Sequence, residues 1–280
     1  MINHWWAALL AAALAGTAAC APPKEIAGPA ETQAIGKYPA MDASFVTTTR
    51  REGARQPFLL LRPPRPVASV ILFTGGDGVV GIGPQGIKRG GNFLVHARQL
   101  FARQDLLVAI VDPPSDRDNL DGFRTSHAHA LDIKGVIAYL RAESPGPVWL
   151  VGTSYGTVSA VKVADWLADD GGPDGLVLTS SLFLPGRIGD TVRDADPARV
   201  RVPVLVVHHR NDRCRYTPFS EAGPFVRRLA QARPVELMAF EGGGPVKGGV
   251  CEPLDYHGFP GIREQVVEAI ANWIKTHPPR

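Results

Sequence analysis

The sequence predicts an α/β domain: a mostly parallel sheet with helices on both faces and a small lid or none. Three observations predict it. From about residue 44 onward, short apolar runs alternate with longer segments whose apolar residues recur at helical spacing. Several runs, such as Ser69-Val70-Ile71-Leu72-Phe73, are apolar at successive positions, as in strands buried on both faces. One run, Val148 to Val151, passes through Gly152-Thr153-Ser154-Tyr155-Gly156 into a helical segment, so the chain turns sharply at Ser154.

The elements follow in order. Ser44–Thr49 and Phe58–Arg62 form an opening hairpin with Gly53 near its turn. Ser69–Phe73 is a buried strand that runs into Thr74-Gly75-Gly76-Asp77-Gly78. Asn92–Gln104 is a helix, on the spacing of Phe93, Leu94, Ala97, Leu100 and Phe101. Leu106–Val111 is the next strand, ending at Asp112-Pro113-Pro114, and a polar loop rich in Asp reaches Ser126. His127–Ala142 is a helix with Ala128, Leu131, Val136, Tyr139 and Leu140 toward one side. Val148–Val151 is a strand, and Tyr155–Ala168 a helix stopped by Gly171, Gly172 and Pro173. Leu176–Leu178 and Val204–Val207 are buried strands, Phe225–Ala232 is helical and Val235–Phe240 is a strand. Ile262–Thr276 is a closing helix with Val266, Ile270 and Ile274 inside. No internal repeat or second domain stands out, and Leu182–Arg201 has room for a small lid at most.

With 280 residues, 45% of them hydrophobic, the chain can bury one sizeable core. Its net charge of +3 comes from scattered Arg, and no basic block interleaves with aromatics, which argues against a nucleic-acid partner. Trp5–Ala19 is an apolar, alanine-rich run, shorter than the roughly 20 residues that span a bilayer and of signal-peptide length. Residues 1–20 are therefore expected to be a signal. Two readings of its end compete. Ala19-Cys20-Ala21 suits a cut after Ala21, whereas Thr17-Ala18-Ala19-Cys20 resembles a bacterial lipoprotein box with Cys20 as the lipidated first residue, Thr17 standing where Leu is usual. Residues 21–43 carry Pro22, Pro23, Pro29 and Pro39 without apolar periodicity and read as a tether, leaving 44–280 as the folded domain. The expected location is outside the cytoplasm: periplasmic, membrane-anchored through Cys20, or secreted. In an exported chain the two other cysteines, Cys214 and Cys251, predict a disulfide.

The chemistry gathers at strand ends. Ser154, on a strained strand-to-helix turn, is a candidate nucleophile. A serine hydroxyl needs a base to take its proton and a carboxylate to orient that base. Asp212 lies just past the strand Val204–Val207, and His257 lies between the last strand and the last helix. Asp190, Asp194 and Asp196 are alternative acids, but Asp212 is followed by Cys214, whose bridge to Cys251 would tie the acid loop to the base loop. His208 and His209 read as structural. His127 and His129, two apart, do not share a helix face, and no metal site or cofactor is expected.

On these residues the stretch from Ser44 onward resembles the α/β-hydrolase superfamily, in its exported bacterial serine-hydrolase form. Gly152-Thr153-Ser154-Tyr155-Gly156 is similar to its nucleophile elbow, and the order Ser154, Asp212, His257 to its triad. The resemblance implies an α/β-hydrolase fold and an oxyanion hole built from backbone N–H groups, one from Tyr155 and one from the turn after Ser69–Phe73. Gly76 is the residue aligned there, with Asp77 next, although Thr74 replaces the usual His. Asp77 is also positioned to meet a cationic group of a substrate. Hydrolysis of a small or lipid-like carboxylic ester is the expected function. A peptidase or thioesterase using the same triad is an alternative, as is a non-catalytic envelope binding domain.

Overall fold

The computed structural model describes Met1 and residues 41–278. The expected signal, Cys20 and most of the expected tether therefore fall outside the described residues. Eight strands form one sheet, in the order β1 (Ala43–Thr48), β2 (Gln56–Leu61), β6 (Leu106–Val111), β3 (Ala68–Phe73), β7 (Val148–Thr153), β8 (Gly175–Thr179), β9 (Val204–His209) and β10 (Val235–Phe240). The first two pairings, β1 with β2 and β2 with β6, are antiparallel; the rest are parallel. A short hairpin of β4 (Ile82–Gly83) and β5 (Gly86–Ile87) stands apart.

Alternation along the strands divides the core in two. On one face Ile71, Leu150, Leu178 and Val206 pack against α2 (His127–Glu143), α3 (Gly156–Trp166) and α4 (Ala222–Arg228). On the other, Leu72, Trp149, Val151, Val177 and Leu205 pack against α1 (Phe93–Arg103) and α5 (Arg263–Thr276). Each such side chain buried contributes about 1.5–3 kcal/mol, so strands apolar at every position are favoured only where helices cover both faces. Helix starts are capped as their residues dictate: Asn92 accepts from the Leu94 N–H at 3.0 Å and Ser126 from the His129 N–H at 3.1 Å.

Three sequence expectations shift. The buried side of α2 runs through His129, Ala130, Ile133, Val136, Ile137 and Leu140, whereas Ala128 and Leu131 are only partly covered. Hydropathy alone did not reveal that a histidine belongs to the inner face. α4 begins at Ala222 and ends at Arg228, earlier than expected, because Gly223 and Pro224 occupy its first turn, where N–H groups lack intrahelical acceptors anyway and proline is tolerated. β1 starts at Ala43, one residue inside the expected tether. Between β8 and β9, a single 3-10 turn, Val192–Asp194, is the described secondary structure, in line with a small lid or none. No helix among the described residues is long and apolar enough to cross a membrane.

Candidate active site

The parallel strands all point their C-terminal ends at one edge of the sheet, where crevices form in such folds. There β7 turns into α3 at Ser154, whose φ of +53° lies in the region L-residues avoid at a cost of about 1–3 kcal/mol. The turn closes because Gly152 and Gly156 lack side chains: a Cβ on Gly156 would lie 2.1 Å from the Phe73 carbonyl oxygen, and one on Gly152 2.5 Å from that of Gly156. Hydrogen bonds hold the strained residue on both sides. Its N–H donates to the Thr179 carbonyl at 3.0 Å, and its carbonyl accepts from the Thr157 N–H at 3.0 Å and the Thr157 hydroxyl at 2.6 Å. The Ser154 hydroxyl itself makes no hydrogen bond among the described residues. Such contacts often tighten only when substrate arrives.

Past β9, the Asp212 side chain is fully buried. Its Oδ1 accepts from the Cys214 N–H at 2.9 Å, and its Oδ2 lies 3.0 Å from His257 Nδ1. Thr217, which the sequence analysis did not single out, donates its hydroxyl to Asp212 Oδ2 at 2.9 Å and sits 3.2 Å from His257 Nδ1. His257 rides on a 3-10 turn, Tyr256–Gly258, capped by Asp255 through the Tyr256 N–H at 2.8 Å. The His257 carbonyl accepts from the Ser180 hydroxyl at 2.8 Å. Two further ties join the loops that carry Asp212 and His257: the Cys214–Cys251 disulfide and an ion pair between Arg213 and the buried Asp255. The alternative acids are occupied elsewhere. Asp194 caps the turn at Thr191, and Asp196 accepts from the Ala198 N–H. Burial, followed by the nearby Asp194 charge, raises the Asp190 carboxyl above the usual range.

No protein-family model and no curated protein matches the chain. Solved structures do. An α/β serine hydrolase without lid from Xanthomonas campestris is 16% identical at a TM-score of 0.56, over 85% of this chain and 96% of that one. An esterase from Pyrococcus furiosus is 12% identical at 0.59, over 90% and 99%. Carboxyl esterase 2 from the fungus Tuber melanosporum is 15% identical at 0.59, over 87% and 89%. The chain has the α/β-hydrolase fold.

Within this hydrolase fold, two cavities of about 250 Å³ each flank Gly76. One holds Ser154 and His257 together with Asn92 and Pro253. The other is mostly apolar, walled by Tyr155, Leu182, Ile188 and Tyr216. Tyr155 is the N-cap of α3, and burial first, then the Asp190 charge, pushes its phenol up to about 12, which keeps it protonated. The N–H groups of Gly76 and Tyr155 have no protein acceptor among the described residues. Asp77 lies at the rim of the apolar cavity but pairs with Arg89 at 2.8 Å. The loop beyond it is fixed by Asp112, whose carboxylate accepts the N–H groups of Val80, Gly81 and Ile82 at 2.7–3.2 Å.

His208 and His209 are held by structural contacts. His208 Nε2 accepts from the Ser181 N–H at 2.7 Å, and burial drives its pKa down to about 4. His209 stacks on Tyr256 and bonds the Gly242 carbonyl. Among the described residues, no cluster of three His, Cys, Asp or Glu side chains converges to hold a metal ion.

Proposed function

We propose that this chain is a serine hydrolase that cleaves a carboxylic ester through Ser154, His257 and Asp212. The observation that carries the proposal is the 3.0 Å contact of His257 Nδ1 with the buried Asp212 carboxylate, beside a serine held at positive φ in the same cleft. With Nδ1 donating to Asp212, Nε2 is left as the base. It takes the proton as Ser154 Oγ attacks the acyl carbon, and returns it to the alcohol oxygen as the ester bond breaks. A water molecule, deprotonated by the same nitrogen, then attacks the acyl-enzyme, releases the acid and restores Ser154. The N–H groups of Gly76 and Tyr155 stabilise the negative oxygen that forms at each attack. The Thr217 hydroxyl, bonded to the same carboxylate oxygen, steadies Asp212.

Esters are favoured over peptides and thioesters because the similar solved structures include two esterases. The apolar cavity beside Gly76 and Tyr155 suits the acyl chain, and the cleft around His257 suits the alcohol side. Turnover of a p-nitrophenyl ester series, short to long, tests the reading. Ser154→Ala is expected to lower kcat by about 10⁴-fold or more with the fold intact. Undiminished ester hydrolysis by the folded variant would overturn it.

The disulfide supports an oxidising compartment, and with it the proposal that residues 1–20 direct export and that Cys20 tethers the protein to a membrane. Incorporation of labelled palmitate by cells producing the chain, abolished in Cys20→Ser, is the expected result. Equal labelling in the variant would refute the tether.

A further inference from the structure

The most unusual buried group is Arg124, in the loop before α2. Its side chain is completely buried, yet no carboxylate lies within ion-pairing distance of it among the described residues. Burying an unpaired guanidinium is costly, and a hydrocarbon side chain would pack there at lower cost. Burial pulls its pKa down to about 10, which still leaves it charged at neutral pH. Its partners suggest a use for that charge. Nη2 donates to the carbonyls of Thr74 at 3.2 Å and Gly76 at 3.1 Å, and Nη1 donates to the Ser159 hydroxyl on α3 at 2.9 Å. The guanidinium also lies 5.1 Å from the centre of the Tyr155 ring.

The two carbonyls belong to the peptide planes on either side of the Gly75–Gly76 peptide. Peptide units are planar, so pinning the flanking planes limits the rotation of the one between them. The carbonyl of that middle peptide is itself bonded, accepting from the Gly78 N–H at 3.2 Å. Its N–H points the opposite way and is the group free of a protein acceptor. Arg124 thus grips the turn that supplies one half of the anion-binding pair and rests against the residue that supplies the other.

We propose that Arg124 is a positioning residue for the oxyanion hole, holding the Gly76 N–H in place and adding a buried positive charge behind it. The proposal rests on the serine-hydrolase reading above. A preorganised dipole backed by a cation in a dry site favours an anionic transition state more than a neutral substrate. Arg124 therefore acts on kcat and leaves KM nearly alone.

The test compares the full chain with Arg124→Met and Arg124→Lys, using p-nitrophenyl ester kinetics and inhibition by an alkylboronic acid, which becomes a tetrahedral anion on a nucleophilic serine. Removing a direct oxyanion donor costs about 10²–10³-fold. Arg124→Met is expected to lose about 10²-fold in kcat with KM within about twofold, and to bind the boronate more weakly by the factor lost in kcat/KM. Arg124→Lys, which keeps a charge but not the fork that spans two carbonyls, should recover about tenfold of that loss. A folded Arg124→Met with wild-type kcat would overturn the proposal. So would a lower kcat/KM with unchanged boronate affinity, since that loss would lie outside the transition state. If the Met variant does not fold, Arg124→Lys is read by the same two criteria against wild type, with a loss of about tenfold expected in both. A wild-type chain with neither Ser154-dependent turnover nor boronate binding would overturn the hydrolase reading itself. Activity that ignores Arg124 overturns this inference alone.

Discussion

His129 shows how one side chain can set the acid limit of the fold. It stands edge-on to Phe73 and Phe123, and neither ring nitrogen has a hydrogen-bond partner among the described residues. Burial, and then the Arg124 charge, lowers its pKa to about 3. The unfolded chain takes up that proton near pH 6.5 and the folded chain does not, so stability falls as pH drops from about 6.5 toward 3. Between pH 7 and pH 5 this group accounts for about 2 kcal/mol. His208, lowered to about 4, acts in the same direction over pH 6.5 to 4. His129→Leu should therefore shrink the drop in Tm between pH 7 and pH 5 by roughly 5 °C. An unchanged difference between the two melting temperatures would show that His129 is not held neutral. At this scale the sequence named Ser154, Asp212 and His257 by residue type and by place after a strand. It gave no role to Thr217, Arg124 or Asp112, because hydroxyl, guanidinium and carboxylate groups in loops are common and only three-dimensional proximity singles these out.

The turn from β7 to α3 concentrates the demands on an element. Strand, turn and helix must approach so closely that Gly156 meets the Phe73 and Thr74 carbonyl oxygens, at 2.1 and 2.7 Å from a hypothetical Cβ. These are backbone atoms at the end of β3 and the start of the turn after it, and they cannot rotate away as a side chain could. Gly156→Ala is expected to cost about 3 kcal/mol, seen as a lower denaturation midpoint in guanidinium chloride, and to lower activity by shifting Ser154. A cost under about 1 kcal/mol would mean that the strand yields more easily than close packing implies. Most elements were legible from periodicity, since strands of continuous Val, Ile and Leu have few other uses. The α4 boundary and the inner face of α2 were not, because Pro in a first turn reads like a breaker and a buried histidine reads like a surface one.

For the molecule as a whole, the disulfide ties loops from two adjacent strands, β9 and β10, and thereby the candidate acid to the candidate base. Closing a loop with a sequence separation of 37 restricts the unfolded chain by about 4 kcal/mol in the chain-entropy model. Cys214→Ser combined with Cys251→Ser should lose that much unfolding free energy in a urea titration, and kcat should fall as the Asp212–His257 contact loosens. A double variant as stable and active as wild type would show that the Arg213–Asp255 pair and the Ser180 bond to His257 suffice to hold the loops together.

Local chemistry in the sequence determined the alternation of strands and helices, the sharp turn at Ser154, the order of serine, aspartate and histidine, and the pairing of the two cysteines. Each of these is written in residue type and short-range spacing, through side-chain periodicity, glycine at a close approach and cysteine count. Tertiary structure alone decided that Asp212 Oδ2 faces His257 Nδ1, that Thr217 braces the pair, and that Arg124 grips the Gly76 turn from 48 residues away. Apart from the Thr217–Asp212 bond, those contacts join segments far apart in the chain. Their distances are set by how the sheet stacks and twists beneath its helices, which no local pattern encodes.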